Sequence, residues 1–205
     1  VKKEDLPAMW ADFAKAGMVS GHAYGKSLRT VKTCVGSEHC RFGTQRSMEL
    51  GVKLEKMLFG MWSPHKFKLA VSGCPRNCAE SGIKDIGVIG VDSGYELYVG
   101  GNGGIKTEVA QFFCKVADDD EVLEYGGAFI QLYREEGFYL ERTCHYLERV
   151  GLEHVKKAVL DNADQRQALY ERLLFALQNY KDPWAEIVED QAGGLHKRQF
   201  EIIKA

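Results

Sequence analysis

Pro64 to Gly82 reads PHKFKLAVSGCPRNCAESG, and the reading of the whole chain turns on it. Phe67 to Ser72 is a strand-like run that ends in Gly73 and passes into Cys74-Pro75-Arg76-Asn77-Cys78. Two cysteines at that spacing, on a strand-to-turn boundary, can aim both sulfurs at one site. Upstream, Cys34 and Cys40 form a second pair, so four of the 6 cysteines fall into two tight groups. Four thiolates in two pairs are what a four-iron, four-sulfur cluster needs. A structural zinc site is the alternative. The Cys-x5-Cys pair lies outside the shorter spacings usual for zinc, and Cys-Pro after a strand is not a typical zinc knuckle.

Working outward, the bulk properties narrow the classes. A chain of 205 residues is one domain, or one domain with a helical tail. Its 45% hydrophobic content supports a core. A net charge of −2 supplies no basic field for nucleic acid. No apolar run approaches a membrane span and no signal peptide is visible, so the expectation is a cytoplasmic protein with no membrane partner. Clustered cysteines in that setting read as metal or redox ligands, not as a disulfide scaffold. Val1 is not a start methionine, and the chain reads as a piece of something longer.

In chain order, residues 4–16 predict a helix with Leu6, Trp10, Phe13 and Ala14 on one face and Gly17 as its stop. Leu28 to Thr33 predicts a short strand that delivers Cys34. Val35 to Gly43 reads as loop and turn. Thr44 to Leu58 predicts a helix from the spacing of Leu50, Leu54, Met57 and Leu58. A helical turn is expected around Ala79 to Gly82, then a hairpin of Ile86 to Val91 and Tyr95 to Val99. Gly100 to Gly104 is a loop whose backbone can pass close to a ligand. From Thr107 the text reads as helical, with Val109, Phe112, Phe113 and Val116 as one stripe. Asp118 to Glu121 then start a further helix, where acids suit the dipole. Helices follow at 138–149, 152–160 and 164–180, the last stopped by Asp182-Pro183. The order implies an α+β fold: a mixed β-sheet with packed helices and a helical C-terminal part. The expected division is a cofactor-binding domain over 1–135 and a helical extension over 136–205 with a mobile tail.

The two cysteine motifs carry a family resemblance. TCVGSEHC followed by SGCPRNC resembles the cluster-and-sirohaem signature of the sulfite and nitrite reductases. GHAYGKSLRTVKTCVGSEHCRFGTQ, VGGNGG, YLERTCHYLERVG and DPWAEIV are similar to the large subunit of the NAD(P)H-dependent assimilatory nitrite reductases. The resemblance implies the fold of the nitrite/sulfite reductase 4Fe-4S domain, sirohaem with a [4Fe-4S] cluster, and six-electron reduction of nitrite to ammonium. It makes Cys34, Cys40, Cys74 and Cys78 the cluster ligands, with Cys78 bridging to the sirohaem iron.

Lys66 and Lys68 alternate about Phe67, so both point to one face of a strand. PHKFK resembles the family's paired-lysine anion strand, which makes the two lysines the catalytic cations for nitrite, binding the oxyanion and supplying protons. Arg29, Lys32, Arg41 and Arg76 flank the cysteines. Sirohaem carries many carboxylates, and the resemblance points to Arg29 as a cofactor residue. Asn77 is a donor candidate for cluster sulfur or a carboxylate. Asn102 either offers an amide to the macrocycle or closes a tight turn. His22 is a candidate for the pocket, whereas His39, His65 and His145 read as surface or locally hydrogen-bonded. Cys114 and Cys144 read as structural.

By the same resemblance, FAD and NAD(P)H sites, a small iron–sulfur module and a ferredoxin-like half-domain lie on missing upstream segments, with a small subunit as a further partner. Because lysines and cysteines lie on one copy here, the expected assembly is a homo-oligomer whose subunits exchange lysines. Two alternatives stay open: a sulfite reductase making sulfide, and a non-catalytic, metal-stabilised assembly domain.

Overall fold

A computed structural model describes residues 1–21 and 25–190. His22 and the stretch after Asp190 lie outside the described residues. After a 3-10 turn at Lys3–Asp5, the elements run α1 (Leu6–Lys15), β1 (Lys32–Thr33), α2 (Gly36–His39), α3 (Ser47–Leu58), β2 (Leu69–Ser72), a 3-10 turn (Ser81–Ile83), β3 (Ile86–Val91) and β4 (Gly94–Val99). They continue as β5 (Asn102–Gly103), β6 (Thr107–Glu108), β7 (Gln111–Val116), α4 (Asp119–Glu136), α5 (Thr143–Val150), α6 (Leu152–Val159), α7 (Ala163–Leu177) and α8 (Pro183–Glu189). Among the described residues, no helix is long and apolar enough to cross a membrane.

The chain forms two compact units. In the smaller, α1 packs on α8. Trp10 stacks on Trp184 with centroids 5.6 Å apart, and Phe13 leans on the same ring. Asp182 accepts from the amides of Ser20, Trp184 and Ala185. Asp182-Pro183 therefore opens a helix where the sequence reading expected only an end. A side-chain acceptor followed by proline at the first helical position is a start signal as well as a stop.

The larger unit, Tyr24–Gln178, is built on a mixed five-stranded sheet ordered β1-β2-β3-β4-β7. β1, β2 and β3 run parallel, while β4 is antiparallel to both β3 and β7. The α+β expectation of a mixed sheet with packed helices is met. Leu50, Leu54 and Leu58 repeat every four residues along α3 and are fully buried against the β1–β2 side. Each such side chain contributes roughly 1.5–3 kcal/mol. All four residues of β2 are buried, because α3 covers one face and the 3-10 turn at Ser81–Ile83 covers the other. α4 packs against α6 and α7, and α7 also touches α3. The first turn of α4 is held by Asp118, which accepts from the Glu121 amide at 3.0 Å.

Several boundaries differ from the sequence reading. The segment after Thr107 is not helical: β6 and β7 occupy it. β7 pairs Cys114 with Leu97 and then Phe112 with Tyr98, leaving Phe113 as an extra residue in a bulge. The bulge puts Phe113 and Val116, three apart, on the buried side, which imitates helical spacing. Only Lys32 and Thr33 pair as β1, since the Glu55 carboxylate of α3 takes the Val31 amide at 2.6 Å. Further back, Leu28 makes a single parallel bridge to Phe67. Gly36–His39 forms one helical turn inside the expected loop, and α3 begins at Ser47 rather than Thr44.

Candidate functional site

β1 and β2 are parallel, with Thr33 opposite Val71, so the chain leaves both strands at the same end. That end carries both cysteine motifs. The Cys34 amide donates to Val71 O at 3.3 Å, and the Gly73 amide donates to Cys34 Sγ at 3.1 Å. Gly73 O then accepts from the amides of Thr44 and Gln45 at 2.8 and 3.0 Å, and from Thr44 Oγ1 at 2.9 Å. The approach is close enough to demand glycine. A Cβ on Gly73 would lie 2.8 Å from both Gln45 O and Gly36 Cα, and Gly36 itself has φ +63°. The loops meet again further out, where Arg41 and Arg76 lie over the Phe42 ring at 4.5 and 4.0 Å.

The four thiols differ in surroundings. Cys74 is buried, Cys34 and Cys40 are half-buried, and Cys78 is exposed. Burial pushes the Cys34 thiol up, but Ser47 and the amides of Gly73 and Gly36 outweigh it and leave the thiol below its ordinary value. Donors converging on sulfur favour the thiolate, the form that ligates iron. Among the described residues, no group of three or more His, Cys, Asp and Glu side chains could hold one metal ion. Four thiols carried by two loops at one end of β1 and β2 are a donor set that fits an iron–sulfur cluster.

Asn77 adopts φ 56°, in the left-handed region that asparagine tolerates. Its amide donates to Cys74 O at 3.1 Å, and its Oδ1 accepts from Ser72 Oγ and the Gly82 amide at 3.3 Å. The carboxamide oxygen is thus committed to shaping the Cys-Pro turn. Asn102 sits in the β5–β6 hairpin and donates to Lys106 O at 3.2 Å, closing its own turn. The glycines before it approach protein backbone: the Gly100 amide donates to Asp85 O at 3.0 Å and that of Gly101 to Lys84 O at 2.8 Å.

At the opposite end of β2 lies the lysine strand. Phe67 is fully buried between half-buried Lys66 and Lys68. Lys68 lines a depression of about 460 Å³ together with Arg29, Thr30, Lys32, Leu69 and Lys84. Four of these six residues are cationic and none is acidic. Lys66 is not among them, though its charge bears on Lys68. Glu80 pairs with Lys32 at 2.9 Å and with Lys84 at 3.1 Å from the rim. Burial, then Arg142, Lys66 and Lys84, holds the Lys68 ammonium below the ordinary lysine value, against the pull of Asp85. Beside it, His65 Nδ1 accepts from the Lys66 amide at 2.8 Å, and burial with Arg142 and Lys66 pushes this imidazole down.

Three residues at this end escaped the sequence reading: Lys84, Asp85 and Arg142. Asp85 is completely buried. It accepts from the Lys68 amide at 2.8 Å, from Arg142 Nη2 and Nε at 2.8 and 3.4 Å, and from Thr143 Oγ1. A Lys-Asp pair just ahead of a strand was a visible signal for the first two. Arg142, 57 residues from Asp85, offered none.

The chain matches the family described as the nitrite and sulphite reductase 4Fe-4S domain over residues 24–167. It is 58% identical over 191 residues to a nitrite reductase [NAD(P)H] of Bacillus subtilis, covering 93% of this chain and 23% of that protein. An assimilatory-type sulfite reductase of Nitratidesulfovibrio vulgaris is 32% identical over 160 residues, 78% of this chain and 72% of the relative. Among solved structures, dissimilatory sulfite reductase I superposes with a TM-score of 0.66 at 16% identity, over 75% of this chain and 57% of its own. The chain belongs to the nitrite and sulphite reductase 4Fe-4S domain family. It spans less than a quarter of the length of the Bacillus nitrite reductase it matches.

Proposed function

We propose that this chain is the sirohaem and [4Fe-4S] domain of an assimilatory nitrite reductase large subunit, and that it takes part in the six-electron reduction of nitrite to ammonium. The observation that carries this reading is the joining of two cysteine loops at Cys34 and Gly73, where the Gly73 amide donates to Cys34 Sγ and Ser47 Oγ lies 3.3 Å from the same sulfur. Cys34, Cys40, Cys74 and Cys78 would hold the cluster, and Cys78, the exposed thiol, would be the one shared with sirohaem. When bound, the two groups supply the electron transfer and the nitrite-binding iron.

The chain's own residues do the rest. Arg29, Lys32, Lys68 and Lys84 gather positive charge in one depression, which suits carboxylates of the macrocycle and an oxyanion alike. Lys68 is the proton donor with the most suitable surroundings, since burial and neighbouring cations make its ammonium more acidic than usual. Lys66 adds charge from one residue beyond Phe67. The greater identity to a nitrite reductase than to a sulfite reductase favours nitrite as the anion.

The whole enzyme would also carry FAD and NAD(P)H sites on further domains, work with a small subunit and reside in the cytoplasm. Lys66 and Lys68 precede β2 and the cysteines follow β1 and β2 on the same chain. We take the assembly to be a homo-oligomer in which one copy's lysines serve the other's site, and a fully active strict monomer would contradict it.

The test is a visible spectrum with iron and acid-labile sulfide analysis on anaerobically prepared full-length protein. A haem-like spectrum with about four cluster irons and one haem iron supports the cofactor pair. A colourless, zinc-bearing protein would overturn it. Turnover of nitrite against sulfite then decides the anion. Replacing Lys66 and Lys68 together by Met should raise the KM for nitrite and lower kcat while the haem spectrum persists; unchanged kinetics would remove both from the site.

A further inference from the structure

We propose that Asp85 and Arg142 are the positioning residues of the lysine strand, one holding the Lys68 backbone in place and the other setting a fixed positive charge beside its ammonium. The inference rests on the reading of Lys68 as an anion-site cation. Asp85 Oδ2 is shared: it accepts from the Lys68 amide at 2.8 Å and from Arg142 Nη2 at 2.8 Å. A single carboxylate oxygen therefore separates the guanidinium from the lysine backbone. Oδ1 takes Arg142 Nε at 3.4 Å and the Thr143 hydroxyl, so both oxygens are occupied. The Asp85 carbonyl is occupied as well, by the Gly100 amide.

The arrangement is costly unless it does something. Asp85 is fully buried and the Arg142 side chain is 9% exposed. A buried ion pair seldom stabilises a fold more than apolar residues of the same volume would. It does fix geometry, because both partners are locked by several directed hydrogen bonds. Here it ties together three elements that meet nowhere else in sequence: the residue before β2, the residue before β3 and the N-terminal end of α5. The strand residue it grips is the one between Phe67 and Leu69, both buried, so Lys68 can move neither along nor out of the sheet.

Electrostatics acts through the same contacts. Lys68 faces Lys66 on its own strand, Arg29 and Lys32 across the depression, Lys84 and Asp85 ahead of β3, and Arg142 ahead of α5. Glu80 offsets part of the charge of Lys32 and Lys84. Of these, Arg142 is the strongest charge acting on Lys68, and Asp85 is the one that opposes it. The two members of the pair thus push the same ammonium in opposite directions.

That opposition supplies the test. In the full-length holoenzyme, trace acetic anhydride labelling across pH, read by mass spectrometry, reports the titration of each lysine amine. Wild-type Lys68 should become reactive at lower pH than an ordinary lysine amine. Asp85→Asn keeps the shape and removes the anion, so the Lys68 midpoint should fall by about one pH unit. Arg142→Gln removes the stronger of the two charges, so the midpoint should rise by at least as much. Arg142→Lys retains charge without the fork and should leave the midpoint near wild type.

A loosened hub would move Lys68 the same way in every variant. Shifts of one sign in Asp85→Asn and Arg142→Gln, or no shift in Asp85→Asn, would overturn the proposal. Should Arg142→Gln fail to fold, the neutral double variant of both residues must bring the Lys68 midpoint back above that of Asp85→Asn alone, and a value equal to that of Asp85→Asn would count against the pair. The pH profile of nitrite reduction separates this inference from the one beneath it. Labelling shifts with an unmoved profile would uphold the positioning pair and take Lys68 out of the substrate site.

Discussion

The two ends of β2 are built by different means. At the cysteine end the contacts are between main-chain groups and one thiol: Gly73 with Cys34, Thr44 and Gln45, within loops that leave adjacent strands. At the lysine end the organising contact is ionic, buried and remote, with Asp85 and Arg142 57 residues apart. The first end asks for small residues, because backbones must touch. The second asks for a matched pair of charges, because neither can be buried alone. Under the proposed function, fixed main-chain geometry would hold the cluster ligands at the first end, and the ion pair would set the field around Lys68 at the second.

The sharpest way to break this contrast is Cys78→Ser. The Gly73–Cys34 joint would remain and the fold should be kept, yet on the proposed function nitrite turnover should disappear; a variant with normal turnover removes Cys78 from the proposed bridge between cluster and sirohaem. Next in size is Arg142→Ala, which leaves a buried carboxylate unpaired. A loss of about 3–5 kcal/mol is expected in denaturant titration, and a loss below 1 kcal/mol would mean that water or another cation replaces the guanidinium. Gly73→Ala should cost less, about 1–3 kcal/mol, because its Cβ meets backbone that cannot yield freely. Its signature at the cysteine end should be lower iron content per chain, a readout that Arg142→Ala should affect less.

The smallest effect concerns pH. The His65 imidazole is pushed down by burial and by Arg142 and Lys66. A base whose folded pKa lies below its unfolded one keeps the native state favoured at pH above both values. That contribution is lost as pH falls from about 6.5 through the lowered folded value. Stability of the wild type should therefore drop more steeply than that of His65→Gln between pH 7 and pH 5. Parallel curves would assign the acid sensitivity of this end to other groups.

Much of the cysteine end was legible beforehand. Cys34, Cys40, Cys74 and Cys78 stand in short motifs, and the run from Phe67 into Gly73 announces a strand followed by a tight turn. Lys66 and Lys68 were visible because they flank a buried aromatic within the same stretch. Asn77 and Asn102 were visible as residues but not as roles: the structure spends the Asn77 oxygen inside its own turn and Asn102 on its own hairpin. The segment after Thr107 misled, since one bulged residue in β7 turned strand alternation into an apparent helical stripe.

What the sequence by itself determined are the features written in local spacing: the paired thiols, the glycines beside them, the amphipathic helices and the β3–β4 hairpin. Each follows from contacts between near neighbours, so its period or motif survives in one dimension. Tertiary structure alone decided which charges share a space. Arg29, Lys32, Lys68 and Lys84 come from three separate segments, and Arg142 reaches Asp85 only when α5 is folded back onto the sheet. Coulombic partners are selected by distance in space and by the exclusion of water, and neither leaves a pattern along the chain.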